Sequence, residues 1–200
     1  MERKIICIGR EFGSGGSEIA VLLGQRLGLD VYEKELLHLA CKYGGLSEEK
    51  MKDSDERSTN PYLYETVHEG YDYLCWGLPT SEALFRLQSH EIQRIAQREN
   101  CIFVGRCADY VLKDADAALL RVFISAPAEF RIQRKMQQEG LSHLRAKSLV
   151  RKMDVQRMKY YSHYTGRSWG ARENYDLYID TRETGIENAV DLIAARYQML

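Results

Sequence analysis

The sequence predicts an α/β fold in which a five-stranded parallel sheet carries helices on both faces. Short apolar runs alternate along the chain with longer segments of helical periodicity, which is typical of strands joined by helical crossovers. The length of 200 residues and the hydrophobic share of 44% suit one compact domain. A glycine-rich turn follows the first apolar run, and the ends of such strands are where these sheets bind ligands.

Five short runs are the predicted strands, and they cover residues 4–8, 30–32, 101–104, 119–124 and 176–180. The helical patterns cover residues 16–27, 34–42, 80–98, a segment that begins at Pro127, and 186–197. Because parallel strands end at one edge of a sheet, we expect the glycine turn, Gly105–Arg106 and Asp180–Thr181 to share one rim.

Two segments depart from this alternation. Residues 45–80 are polar at first and then rich in aromatic residues between positions 62 and 76, so we interpret them as an inserted flap. These aromatic side chains form either a small core of the flap or a surface that stacks a base. Residues 141–170 are basic, and Asp154 and Arg157 share one face of a helix there. That face is either functional or an ordinary solvated surface.

Composition excludes several classes of protein. The net charge of −1 argues against nucleic acid as a partner. The first apolar run is too short for a signal peptide or a membrane span, which argues against a membrane protein. The five cysteines include no C-x-x-C pair, so we expect reduced thiols in a cytoplasmic protein.

The glycine turn, from Gly9 to Ala20, predicts a cradle for phosphate groups. Consecutive glycines let several backbone N–H groups converge on one anion, and the helix N-terminus adds positive dipole character. The usual lysine of such loops is absent, because Gly16 stands in its place; Ser17 can still offer a hydroxyl to Mg²⁺. Arg10 or the basic segment is expected to supply the missing cation. The alternative is a tight connection that binds no ligand.

Several segments together resemble one known family, the cytidylate kinase-like branch of the nucleoside-monophosphate kinases. They read G-R-E-F-G-S-G-G-S-E-I-A, L-G-L-D-V-Y-E-K-E-L-L, C-I-F-V-G-R-C-A-D-Y-V-L, K-M-D-V-Q-R-M-K-Y-Y and N-Y-D-L-Y-I-D-T. The resemblance spans nearly the whole chain except about residues 45–80.

The resemblance implies a P-loop NTPase-type kinase domain over residues 1–200. Within it, residues 45–80, extending into the helix at 80–98, would be an insertion on the acceptor side, and about 135–170 would be a helical lid. The implied reaction is transfer of the ATP γ-phosphate to CMP or a related monophosphate, with Mg²⁺ as cofactor. The alternatives are a kinase for another small acceptor and a non-catalytic nucleotide sensor. The sequence does not indicate an oligomeric state.

The resemblance also implies roles for individual residues. Those assigned to ATP are Arg10, Gly13, Ser14, Gly15, Gly16, Ser17 and Thr181, with Ser17 also at the metal. Those assigned to the acceptor are Glu33, Arg106 and Arg131, although Glu33 could instead simply cap the second helix. Those assigned to catalysis are Arg134, Arg151 (or Lys152 in its place), Asp154 and Arg157. The chain departs from the family at two positions. Gly16 stands where the loop lysine is expected, and Val104 stands where typical members carry an aspartate.

Overall fold

The five strands found in the described residues lie parallel in one sheet, in the order β2-β3-β1-β4-β5. The computed structural model describes residues 3–57 and 77–200. The strands are β1 (Arg3–Arg10), β2 (Asp30–Tyr32), β3 (Cys101–Val104), β4 (Ala117–Ser125) and β5 (Leu177–Asp180). This order places β1 at the centre, where the chain turns from one half of the sheet to the other.

Helices cover both faces of the sheet, as predicted. They are α1 (Gly16–Leu27), α2 (Glu35–Gly44), α3 (Glu48–Met51), α4 (Thr80–Ala96), α5 (Ala108–Val111), α6 (Ala128–Glu139), α7 (His143–Thr165), α8 (Thr181–Thr184) and α9 (Ile186–Gln198). Short 3₁₀ turns lie at Lys52–Ser54 and Arg172–Asn174.

The central strand shows why a continuous apolar run predicts a buried strand. Ile6 and Ile8 face the core cluster built with α1 and α9, whereas Ile5 and Cys7 face the cluster built with α2, α4 and α5. All four side chains are at most 2% exposed. A strand covered on both faces has no polar face, so its sequence does not alternate.

The strands β1 and β4 extend further than their apolar runs. Gly9 and Arg10 continue the pairing of β1, opposite Phe123 and Ile124 of β4. The pairing therefore carries Arg10, a charged residue, into the interior at the carboxyl edge of the sheet. That edge also holds the ends of β3, β4 and β5, as the sequence predicted for the rim.

The insertion and the basic segment both contain helices. Residues 45–57 of the predicted insertion contain α3 and the 3₁₀ turn at Lys52–Ser54, with Met51 packed against Leu84 and Leu87 of α4. The predicted aromatic group between positions 62 and 76 lies outside the described residues. The basic segment is the single long helix α7, which packs on α6.

The cysteines of the described ranges are free thiols with buried side chains: Cys7, Cys41, Cys101 and Cys107. Burial raises the pKa of Cys101 to about 12, which keeps that thiol protonated. Cys75 lies outside the described residues. Among the helices within 3–57 and 77–200, none combines the length and the apolar character that crossing a bilayer requires.

Helix α9 provides a direct test of the core. Ile193 is fully buried against the sheet, whereas its neighbour Leu192 is 50% exposed. We expect Ile193→Ala to lower the free energy of unfolding by about 2–5 kcal/mol, because it leaves a cavity in a close-packed interior. Urea denaturation measures this. Leu192→Ala is the matched control, and an equal loss in both variants would contradict the placement of α9.

Candidate functional site

The glycine turn between β1 and α1 forms an open cradle of backbone amides. The N–H groups of Gly13, Gly15, Gly16 and Ser17 have no hydrogen-bond acceptor within residues 3–57 and 77–200. Gly15 adopts a left-handed backbone with φ of 91°, and a Cβ there would lie 2.5 Å from Ile186 Cδ1. The turn therefore needs glycine at this position. Unpartnered amides beside a helix N-terminus favour an anion.

A cavity of about 280 Å³ opens over these amides. It is lined by Arg10, Glu11, Phe12, Gly13, Gly15, Gly16, Ser17, Glu18, Arg134, Lys135, Gln138 and Arg157. Four of these side chains are cationic, so the cavity combines backbone donors with positive charge.

The turn is anchored from behind by Ser14 and Thr181. The Thr181 hydroxyl donates to the Ser14 carbonyl at 2.7 Å and lies 3.3 Å from the Ser125 carbonyl. The Ser14 hydroxyl donates to the Glu11 carbonyl at 2.9 Å. Both hydroxyls are thus engaged with the protein, and the contacts of Thr181, which the resemblance assigns to ATP, hold the turn in shape.

Arg10 explains the missing lysine in steric terms. A Cβ at Gly16 would lie 2.5 Å from Arg10 Cβ and 3.0 Å from Arg10 Cγ. Atoms so close to both backbones cannot move aside at low cost, so a side chain at position 16 is excluded while Arg10 keeps this position. Arg10 itself lines the cavity and is 5% exposed.

Two oxygen atoms that could bind a metal ion, from Ser17 and Glu33, lie beside the N-terminus of α1. Glu33 Oε1 accepts from the Ser17 hydroxyl at 2.8 Å and from Arg10 Nη2 at 3.0 Å. Within the described ranges no three His, Cys, Asp or Glu side chains cluster as metal ligands. A hydroxyl and one carboxylate nevertheless fit Mg²⁺, which takes few protein ligands when phosphate oxygens and water complete its shell.

Three buried guanidinium groups surround the carboxylate of Glu56, and we call Arg10, Arg106 and Arg157 the arginine cluster. Arg10 Nη1 donates to Glu56 Oε1 at 2.8 Å, Arg157 Nε lies 3.4 Å from Oε2, and Arg106 Nη1 lies 3.9 Å from Oε1. Arg106 also forms an ion pair with Asp55 at 2.6 Å. The sequence predicted Arg106 at this rim but gave no sign of Asp55 and Glu56.

The titration of this cluster follows from burial and charge. Burial alone would raise the pKa of Glu56, but the three guanidinium groups of the cluster hold it well below its ordinary value. Burial and the neighbouring Arg10 lower the pKa of Arg157 to about 10, although Glu56 opposes this. Glu56 is therefore ionised at neutral pH, and Arg157 remains charged.

Helix α7 is docked on the glycine turn through Asp154 and Arg157. Asp154 accepts from the Phe12 amide at 2.8 Å and from Arg131 at 2.6 Å, while Arg157 donates to the Arg10 carbonyl at 3.0 Å. Arg131, 6% exposed, also donates to the Phe12 carbonyl at 3.0 Å. Asp154 and Arg131 thus join the basic helix to the turn, and the contacts of Arg131 are on this side rather than with Glu33 and Arg106.

The structure separates Arg134 from Arg151. Arg134 lines the cavity, with its Nη2 3.6 Å from where a Cβ of Gly15 would be, and it forms an ion pair with Glu18. Arg151 lies on the exposed face of α7 in a shallow depression with Lys147 and Lys152. Of the three arginines assigned to catalysis, Arg134 and Arg157 therefore line the cavity, whereas Arg151 lies on a different surface.

Phe12 and Lys135 line the cavity but were not predicted from the sequence. The Lys135 ammonium lies 4.6 Å from the centre of the Phe12 ring, and Arg157 lies 5.6 Å from it. For Phe12, the sequence signal that could have predicted this position was an aromatic residue inside a glycine-rich turn. Val104, where typical family members carry an aspartate, is fully buried in the core.

The contact between Arg10 and Gly16 generates a test. We expect Gly16→Ala to destabilise the protein by about 1–3 kcal/mol, because its methyl group overlaps Arg10. The cost should fall when Arg10 is also replaced by glycine, as a double-mutant cycle in urea would measure. Ser17→Ala is the control within the same turn. Equal costs of Gly16→Ala in both backgrounds would contradict the steric account.

The comparisons with solved structures confirm the fold. An uncharacterized protein from Eubacterium ventriosum superposes with a TM-score of 0.72 at 27% identity, covering 98% of this chain and 99% of that one. An APS kinase of Mycobacterium tuberculosis has a TM-score of 0.56 at 16% identity, covering 100% and 99%. A shikimate kinase of Acinetobacter baumannii has a TM-score of 0.53 at 13% identity, covering 96% and 91%. The parallel sheet is thus that of P-loop kinases.

Sequence comparison gives the family. A cytidylate kinase of Thermococcus sibiricus is 30% identical over 52% of this chain, and the chain spans only about half (53%) of that relative's length. A cytidylate kinase of Pyrococcus horikoshii is 23% identical over 97% of this chain and 88% of its own length. The model of the Cytidylate kinase-like family matches residues 5–183. The resemblance seen in the sequence motifs is confirmed, and the chain belongs to the cytidylate kinase-like family.

Proposed function

We propose that this protein transfers the γ-phosphoryl group of ATP to CMP or a related nucleoside monophosphate. The observation that carries the proposal is the cradle formed by the amides of Gly13, Gly15, Gly16 and Ser17, which have no acceptor in the described parts of the chain. This cradle opens into a cavity lined by four cationic side chains. It lies at the carboxyl edge of a parallel sheet, where folds of this kind bind nucleotides. The names of the curated relatives supply the acceptor class.

The donor side of the site suits a polyphosphate. The amides of Gly13, Gly15, Gly16 and Ser17 point into a cavity whose other walls include Arg134. A transferring phosphoryl group spreads negative charge over its oxygens, so positioned donors and guanidinium groups stabilise it without covalent chemistry. We assign Arg134 to the transferring phosphoryl group, after it leaves Glu18.

Ser17 and Glu33 would hold Mg²⁺ together with the phosphate oxygens, since their oxygens lie 2.8 Å apart at the start of α1. The ion supplies further neutralisation of phosphate charge. Arg10, fixed by Glu33 and Glu56, places a buried positive charge near the position of the missing lysine. Because its guanidinium is held by these carboxylates, its contribution to ATP binding is electrostatic rather than a direct clamp.

We place the acceptor on the side of the arginine cluster, with Arg106 and Arg157 nearest its phosphate. Asp154 and Arg131 are positioning residues, because they hold α7 against the glycine turn.

The free, buried cysteines suit a reducing compartment such as the cytoplasm. Another small acceptor is the second candidate, favoured by one observation: Asp55 and Glu56 already occupy the cations that a monophosphate would use.

A coupled assay of ADP release tests the proposal directly. With ATP, Mg²⁺ and a panel of nucleoside monophosphates, we expect turnover with CMP or another pyrimidine monophosphate. No turnover with any monophosphate at millimolar concentration would overturn the proposal. Turnover with a non-nucleotide acceptor instead would establish the second candidate.

Arg134→Ala tests the donor side. We expect a loss in kcat of about 100-fold or more, because one positioned donor to the transferring group is removed. The acceptor KM should change little. Arg182→Ala, an exposed arginine of α8 that does not line the cavity, is the matched control. A full rate in Arg134→Ala would remove this residue from the reaction.

A further inference from the structure

The Glu56 carboxylate lies among the three guanidinium groups of the arginine cluster, where the phosphate group of a ligand could bind. Its residue is 8% exposed, and its two oxygens face three guanidinium groups that come from β1, from the turn after β3 and from α7. A set of converging arginines from separate elements is the arrangement that proteins use to bind a phosphate group. Here a side chain of the same polypeptide provides the anion.

The fit of this carboxylate to the arginine cluster is incomplete. The Nε–H groups of Arg10 and Arg157 are buried, and neither has a hydrogen-bond partner within the described parts of the chain. Arg106 lies 3.9 Å from Glu56 and makes its short contact with Asp55 instead. A carboxylate offers two oxygens and one charge, whereas a phosphate monoester offers three terminal oxygens and nearly two charges. The cluster therefore has donor capacity that Glu56 leaves unused.

Backbone strain is concentrated at the same contact. Within residues 3–57 and 77–200, the non-glycine residues with positive φ are Glu56 at 53°, Arg106 at 50° and Cys107 at 57°. Left-handed backbone is unfavourable for such residues and persists at sites where the surroundings enforce it. Both partners, Glu56 and Arg106, are thus held in strained conformations where they face each other.

We infer that Glu56 is an internal competitor for the acceptor's phosphate, occupying the arginine cluster in the absence of substrate and leaving it when a phosphate monoester binds. The inference rests on the proposed function, because it deepens the acceptor side of that site. No covalent step is involved, since one anion replaces another among the same cations. Glu56 thereby sets the apparent affinity for the acceptor and excludes anions that bind less strongly than a carboxylate.

The test uses inorganic phosphate as the probe and the full chain without ATP. We expect Glu56→Gln to bind phosphate about tenfold more tightly than the natural protein by calorimetry, because the competing charge is gone. Its melting temperature should fall without phosphate and recover as phosphate is added. Unchanged or weaker phosphate binding in a folded Glu56→Gln variant would overturn the inference.

Glu91→Gln is the matched control. Glu91 is another buried glutamate, 2% exposed, and its arginine partner Arg94 lies 2.6 Å away, outside the cluster. This variant should lose stability without gaining affinity for phosphate. An equal gain in phosphate affinity in both variants would mean that the affinity depends on the net charge of the protein and not on Glu56. That result would also overturn the inference.

A second measurement avoids the risk that Glu56→Gln fails to fold. In the natural protein, the amides of Asp55 and Arg57 donate to the carbonyls of Lys52 and Ser54. If phosphate displaces Glu56, saturating phosphate should speed hydrogen exchange at these two amides. Slower or unchanged exchange at both would show that Glu56 stays in place.

These results separate this inference from the proposed function. A gain in phosphate affinity without turnover of any monophosphate would retain the role of Glu56 and remove the kinase assignment. Turnover of CMP with a KM that rises in Glu56→Gln would retain the kinase and make Glu56 part of the acceptor site instead of its competitor.

Discussion

The interaction on which the site depends is the buried position of Arg10 at the end of β1. Its Cβ excludes a side chain at Gly16, its carbonyl accepts from Arg157, and its guanidinium group joins Glu33 to Glu56. Burying a charge is costly unless it is paired and hydrogen-bonded. Pairing with two carboxylates offsets that cost and couples the turn, β2, the insertion and the basic helix to one residue.

This coupling changes how a glycine turn without its lysine can work. The lysine of such loops reaches the phosphates directly, whereas the guanidinium group of Arg10 is paired with Glu33 and Glu56. The other cations that line the cavity come from α6, as Arg134 and Lys135, and from α7, as Arg157. In the proposed function, side chains of α6 and α7 and the backbone amides of the turn neutralise the phosphate charge. The docking of α7 through Asp154 then determines the electrostatics of the cavity.

The fold could be predicted because a strand of a parallel sheet is buried on both faces and therefore forms a continuous apolar run in the sequence. Apolar runs such as 4–8 and 101–104 became strands, and the rim positions followed from their ends. The site was predicted less completely, because an arginine's direction depends on partners distant in sequence. Arg131 and Arg151 carry the same charge on neighbouring helices, yet one lies buried under Phe12 and the other is exposed. Glu56 lies in a polar run that resembles a solvated surface, yet it is buried beside Arg10, Arg106 and Arg157, which are distant in sequence.

The strand order has a consequence for how the chain folds as it leaves the ribosome. Within the described residues, β1 precedes both of its partner strands by a long stretch of chain, since Ile5 lies opposite Cys101 on one side and Leu119 on the other. At ordinary rates of translation, about 5–20 residues per second, β1 waits roughly 5–20 seconds for its first partner. Through that interval an apolar segment with two open edges is exposed, which is the condition under which nascent chains aggregate. Slow translation of the first half of this protein should therefore increase its dependence on chaperones that shield the N-terminal segment.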